Sequence, residues 1–104
     1  MIAPSRALFS VRNFLAAPGV FVTRIESDTA RRFMQIQNKG DYDIYVNFGD
    51  AVPTEANSLV VPPGSLYEPF VCPVNELKIA ADVSAAGSSR VVLITDTSST
   101  STSN

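Results

Sequence analysis

The chain has 104 residues, of which 45% are hydrophobic and 17% charged, and a formal net charge of −2. That length admits one domain with a single modest core. The acidic balance argues against nucleic-acid binding, which needs a basic face to neutralise phosphates, and the only local concentration of positive charge is Arg31-Arg32.

The chain divides into three parts. Residues 1–19, MIAPSRALFSVRNFLAAPG, form a head that carries Arg6 and Arg12 and no acid, a charge of +2 against −4 for the remainder. Its apolar residues Leu8, Phe9, Val11, Phe14 and Leu15 would make a sticky segment if left free. A weak helical spacing runs through Leu8, Val11 and Leu15, but Phe9 and Phe14 fall off that stripe and Pro4 and Pro18 border it. An extended N-terminal arm is therefore expected. It must pack on its own domain as an extra strand, or dock on a neighbouring chain.

Residues 20–96 read as short β-strands, rich in β-branched and aromatic residues and bounded by turn signals. The first is Val20–Glu26, ended by Ser27-Asp28. The second, Arg32–Gln37, places Met34 and Ile36 on one face. Asn38-Lys39-Gly40-Asp41 follows as a turn, with Gly40 available for a positive φ. In the third run, Asp43–Phe48, the residues Ile44, Val46 and Phe48 alternate with Tyr45 and Asn47. The two runs around this turn carry the clearest hairpin pattern in the sequence. Ser58–Val61 is stopped by Pro62-Pro63-Gly64, and Leu66–Val71 contains Pro69, which marks an edge strand or a bulge. Glu76–Asp82 sets Leu77, Ile79 and Ala81 on one face, and Arg90–Asp96 is the last strand. The expected fold is an all-β antiparallel sandwich or jelly-roll-like barrel of about seven to eight strands. Residues 97–104, TSSTSTSN, form a Ser/Thr-rich tail.

The chemistry available is narrow. With no histidine, the commonest general base and the commonest transition-metal ligand are both missing, and no Ser-His-Asp or Cys-His arrangement is possible. The single cysteine, Cys72, excludes an intrachain disulfide, and its neighbours Val71 and Pro73 mark it as an apolar, unreactive thiol made in a reducing compartment. Asp41, Asp43, Asp50 and Glu55 cluster in consecutive loops, but they lack calcium-loop spacing and suit turns better than a hydrolase. No catalytic residue, metal or cofactor is expected. Tyr42, Tyr45 and Tyr67 are candidate exposed aromatics for a sugar-binding face, against the commoner use of tyrosine in packing. No apolar run is long enough for a membrane helix, and Arg6, Ser10, Arg12 and Asn13 interrupt any signal-like segment, so a secreted or membrane protein is not expected.

The stretch RFMQIQNKGDYDIYVNFG starting at Arg32, followed by LVVPPGSLYEP and VNELKIAAD, resembles small virion proteins of tailed bacteriophages. The resemblance covers roughly residues 20–96. It implies a head decoration or cement protein whose β-sandwich sits on the capsid while arms reach adjacent subunits. The expected partners are a major capsid protein and copies of the chain itself, a trimer being favoured among homo-oligomers. The expected location is the virion surface after synthesis in the host cytoplasm. Residues 1–19 match no motif of that family. On the residues alone, the partner interface falls on the arm: Arg6, Leu8, Phe9, Val11, Arg12, Phe14 and Leu15. The rival readings are a carbohydrate- or receptor-binding module and a head or tail accessory subunit.

Overall fold

The structure is a computed structural model that describes residues 6–99, with side chains described from Phe9 to Asp96. Eight strands follow one another: β1 (Arg6–Ala16), β2 (Val22–Ile25), β3 (Arg31–Asn38), β4 (Ile44–Phe48), β5 (Leu59–Val61), β6 (Leu66–Tyr67), β7 (Leu77–Ala81) and β8 (Ser89–Ser99). One short 3-10 turn, Glu55–Asn57, lies between β4 and β5. The strands form two four-stranded sheets, ordered β1-β8-β3-β6 and β2-β7-β4-β5. All pairings between strands are antiparallel.

That order has a simple origin. β1 pairs with β8, β2 with β7, β3 with β6 and β4 with β5. The chain is thus one long hairpin, with its tip between β4 and β5, rolled up so that successive pairs alternate between the sheets. This is the jelly-roll arrangement. Sequence alternation explains why it closes on a core. The four inner strands each contribute two fully buried large apolar side chains: Met34 and Ile36, Ile44 and Val46, Leu77 and Ile79, Val91 and Leu93. Burying each such side chain stabilises the fold by roughly 1.5–3 kcal/mol. The outer strands add less, with Ala16 from β1, Ile25 from β2 and Val61 from β5.

The structure corrects one expected connection. β3 and β4 carry the hairpin pattern, yet they belong to different sheets and do not pair. Among the described residues, the only strands that are both consecutive and paired are β4 and β5. The reason lies in Asn38. Its buried side chain donates to the carbonyls of Tyr42 (2.7 Å) and Val61 (2.8 Å), and its Oδ1 accepts from Gly40 N–H (3.1 Å) and Ser89 Oγ (2.8 Å). These bonds turn the chain across the sandwich instead of back along β3. Gly40 also has a different role from the one expected, since it is absent from the glycines of positive φ. A Cβ there would lie 2.0 Å from Ser89 Oγ and 2.5 Å from Arg90 N, so close approach to β8 is what requires glycine.

Three other boundaries differ. Pro69 confines β6 to two residues at the sheet edge. β8 runs on through Thr97–Ser99, into the segment expected as a tail, and residues 100–104 lie outside the described residues. Of the expected arm, residues 6–16 are extended and form the outermost strand β1, matched to β8 from Arg6↔Ser99 to Ala16↔Ser89. Residues 1–5 lie outside the described residues.

Candidate functional site

The two sheets differ in what covers their outer faces. On β4 and β7, Asn47 and Ala80 point away from the core, yet each is only 1% exposed. The β4–β5 loop covers them. Asn47 Nδ2 donates to Asp50 Oδ2 (2.9 Å), Lys78 Nζ to the Asp50 carbonyl (2.9 Å) and Val83 N–H to Glu55 Oε2 (2.8 Å), fastening the loop across the sheet.

Among the described residues, no loop covers the outer face of β1-β8-β3-β6 in this way. Alternation along β1 sends Phe9, Val11, Asn13 and Leu15 outward, and the register sets Val11 beside Ile94 and Asn13 beside Val92. Phe9 is 63% exposed, Val11 66% and Leu15 55%. Leu66, at 57%, extends the face on β6, where it pairs with Gln37. Phe9 meets Phe33 edge-on at 6.0 Å, over the intervening strand β8. Asp96 on that strand is buried and paired with Arg32 Nε at 3.0 Å. Single exposed apolar residues are ordinary; here several share one face, with Asn13 set between Val11 and Leu15 and Gln37 between Leu66 and β8. At one end of the barrel, Phe70 stands fully exposed beside exposed Val71 in the β6–β7 loop.

The residues expected at the arm interface therefore divide. Phe9, Val11 and Leu15 share the bare outer face, whereas Phe14 turns inward and packs against the core. Arg12 lies on the inward row and lines a cleft between β1 and β2. Arg6 and Leu8 belong to the β1 backbone, and their side chains lie outside the described residues. The tyrosines share no platform. Tyr42 sits half-buried in the β3–β4 loop, Tyr45 half-buried on the outer face of β4, and Tyr67 against Phe48 at 6.5 Å on the core side. Burial raises the Tyr45 pKa, and the charges of Glu55, Asp82 and Asp43 raise it further. Among the described residues, no group of three His, Cys, Asp or Glu is placed to hold a metal ion.

The cleft between β1 and β2 was not anticipated. These edge strands belong to different sheets and are bridged by side chains instead of a ladder. Arg12 Nη1 donates to the Arg24 carbonyl (2.6 Å), and Arg24 Nη2 donates to the Leu15 carbonyl (3.0 Å). The Arg24 guanidinium also stacks on Phe14, 4.1 Å from the ring centroid, and its burial lowers its pKa. Below it Arg31, 5% exposed, donates to the carbonyls of Pro73 (2.8 Å), Asn75 (3.1 Å) and Glu26 (2.6 Å). One local signal pointed here. The inward row of β1 runs Ala16, Phe14, Arg12, Ser10, and the change from apolar to polar marks where the core ends.

Cys72 is half-buried against the core, with Sγ 3.5 Å from the Pro73 carbonyl. Burial raises its pKa, outweighing the lowering influence of Arg31. A raised pKa means less thiolate at neutral pH. Alkylation by iodoacetamide at pH 7 is expected to be slower in the native protein than in the denatured chain. Equal rates would show that the thiol is free and solvated.

No family model matches the chain, and none of the curated proteins does. Among solved structures, the chain is similar to one from work on Bacillus endospore appendages, described as a novel family of disulfide-linked pili. The two share 14% identity with a TM-score of 0.56, over 89% of this chain and 87% of that one. At that identity the likeness is one of fold: the same β architecture is built from a different sequence.

Proposed function

We propose that this chain is a non-catalytic structural subunit that assembles through the outer face of its β1-β8-β3-β6 sheet. The observation that carries this reading is the contrast between the two outer faces. In one the central strands β4 and β7 are crossed by the chain's own loop, leaving Val60 on the edge strand and Val52 in the loop exposed, while the other presents Phe9, Val11, Leu15 and Leu66 to solvent. The structural neighbour comes from pili, which are themselves assemblies, and this supports the same class of role. Covalent linkage of that kind is not available to these 104 residues as a continuous polymer, because the single Cys72 joins at most two chains. Association here rests on non-covalent contact. Within this reading, the resemblance carried by residues 20–96 favours a decoration or cement subunit of a tailed-phage capsid. It would bind copies of itself and a major capsid protein at the virion surface.

Truncating the head would be a poor test, because it removes a whole strand and bares β8. Substitution on the bare face is cleaner. The double variant Val11→Ser, Leu66→Ser is expected to fold normally and to associate at least about 150-fold more weakly, since each apolar side chain buried in an interface is worth roughly 1.5–3 kcal/mol. Sedimentation equilibrium of the purified protein reads this directly. A wild-type chain that stays monomeric at high concentration and binds no capsid would overturn the proposal.

A further inference from the structure

The cleft between β1 and β2 holds more positive charge than the fold uses. Arg12, Arg24 and Arg31 line one cavity of about 420 Å³. The hydrogen bonds these three guanidiniums make all go to backbone carbonyls, of Arg24, Leu15, Pro73, Asn75 and Glu26. A carbonyl accepts a hydrogen bond but cancels no charge. Among the described residues the ion pairs are Arg32–Asp96 and Lys78–Glu76, which leaves these three arginines without a carboxylate at ion-pair distance.

Two further observations give this weight. Arg31 is 5% exposed, and a charge so far from water is ordinarily paired. Arg24 Nε is buried with no acceptor, and a buried donor left unsatisfied is uncommon and costly. Glu26 and Asp28 also line the cavity, but Asp28 Oδ1 is taken by Ala30 N–H of its own turn and neither acid pairs with an arginine. Hydroxyls of Ser10, Thr23 and Thr95 complete the walls. Three planar guanidinium forks outnumber the two acids of the lining, neither acid pairs with them, and forks flanked by hydroxyls are the donor set that recognises oxyanions.

We propose that this cleft is an oxyanion-binding site for a carboxylate or phosphate group. Arg12 and Arg24 donate to the anion, and the buried Arg31 supplies charge from beneath. The group has two possible sources: a free phosphate ion, or an Asp or Glu side chain presented by a neighbouring chain. Only the second source rests on the assembly reading. It would place the acidic residue of a neighbour around the edge of β1 from the bare face.

Arginine Nε–Hε resonances of the intact protein read the site directly. The protein is titrated at constant ionic strength, in chloride, with inorganic phosphate and separately with the blocked peptides acetyl-Ala-Glu-Ala-amide and acetyl-Ala-Gln-Ala-amide. The Arg24 Nε–Hε signal is expected to shift and saturate with phosphate, with the Glu peptide, or with both, and to ignore the Gln peptide. Arg12→Lys keeps the charge but loses the fork, and should weaken binding about tenfold. Saturation by phosphate alone assigns the free ion, and saturation by the Glu peptide assigns a neighbouring side chain. No saturable shift with either anion, or equal binding by Arg12→Lys, would overturn the proposal. The Val11→Ser, Leu66→Ser variant separates the two readings: it should lose association and keep anion binding.

Discussion

Replacing Arg31 with methionine is expected to remove about 3 kcal/mol of stability, a large share of the roughly 5–15 kcal/mol typical of a domain this size. Methionine keeps an apolar stem of similar length, so little packing volume is lost. What disappears is a set of three bonds to carbonyls on two separate loops, Glu26 after β2 and Pro73 and Asn75 before β7. Arg31 itself begins β3, so one side chain ties three parts of the barrel's end together. Each carbonyl left buried and unpaired costs roughly 1–3 kcal/mol, reduced where water can reach it. Urea denaturation measures the change, and a loss below about 1 kcal/mol would show that the loops are held by other contacts. Arg31→Lys should recover only part of the loss, because a single ammonium cannot span the same three acceptors.

Gly40→Ala is the second large effect, expected to cost about 3 kcal/mol through overpacking. The added Cβ would meet Ser89 Oγ at 2.0 Å, Arg90 N at 2.5 Å and Ser89 Cα at 2.7 Å. Two of those are backbone atoms of β8, so no rotamer change relieves the clash. The loop has no freedom to retreat either, since Lys39 N–H is bonded to the Arg90 carbonyl at 2.9 Å. Gly64→Ala makes an informative contrast. Nothing lies within 4 Å of a Cβ there, but φ is +78°, so the cost reduces to backbone strain of about 1–2 kcal/mol. Thermal unfolding of the two variants should rank them in that order. Equal losses would mean that the Gly40 turn relaxes away from β8.

Much of the core is legible in the sequence, because period-2 alternation reports which side of a strand is apolar. Met34 with Ile36, Ile44 with Val46 and Leu77 with Ile79 were all readable in this way, and all are fully buried. Alternation does not report which strand lies alongside. Two apolar rows flanking a turn satisfy the same pattern whether they sit in one sheet or face each other across a sandwich. For β3 and β4 the deciding information sits in the Asn38 side chain, whose acceptors Tyr42 and Val61 and donor Ser89 are scattered along the chain. The arginine cleft was illegible for a related reason. Arg12, Arg24 and Arg31 come from three strands and meet only once the barrel closes, so the polar turn of the β1 inward row shows where the core ends but not that the three come together. The bare outer face was half legible. The apolar head stood out, but its division into exposed Val11 and Leu15 and inward Phe14 depends on the strand's orientation.

The pairing of β1 with β8 also governs when the molecule can form. Strand β1 has no ladder until β8, the last of the described strands, has emerged, because Ala16 matches Ser89 and the register continues outward to Arg6 and Ser99. At roughly 5–20 residues per second, Phe9, Val11 and Leu15 wait for several seconds on an unfinished chain. Pairings this distant in sequence close slowly even after release, since loop-closure entropy is lost before any contact offsets it. Slow refolding that becomes aggregation-prone as concentration rises is thus built into the topology itself.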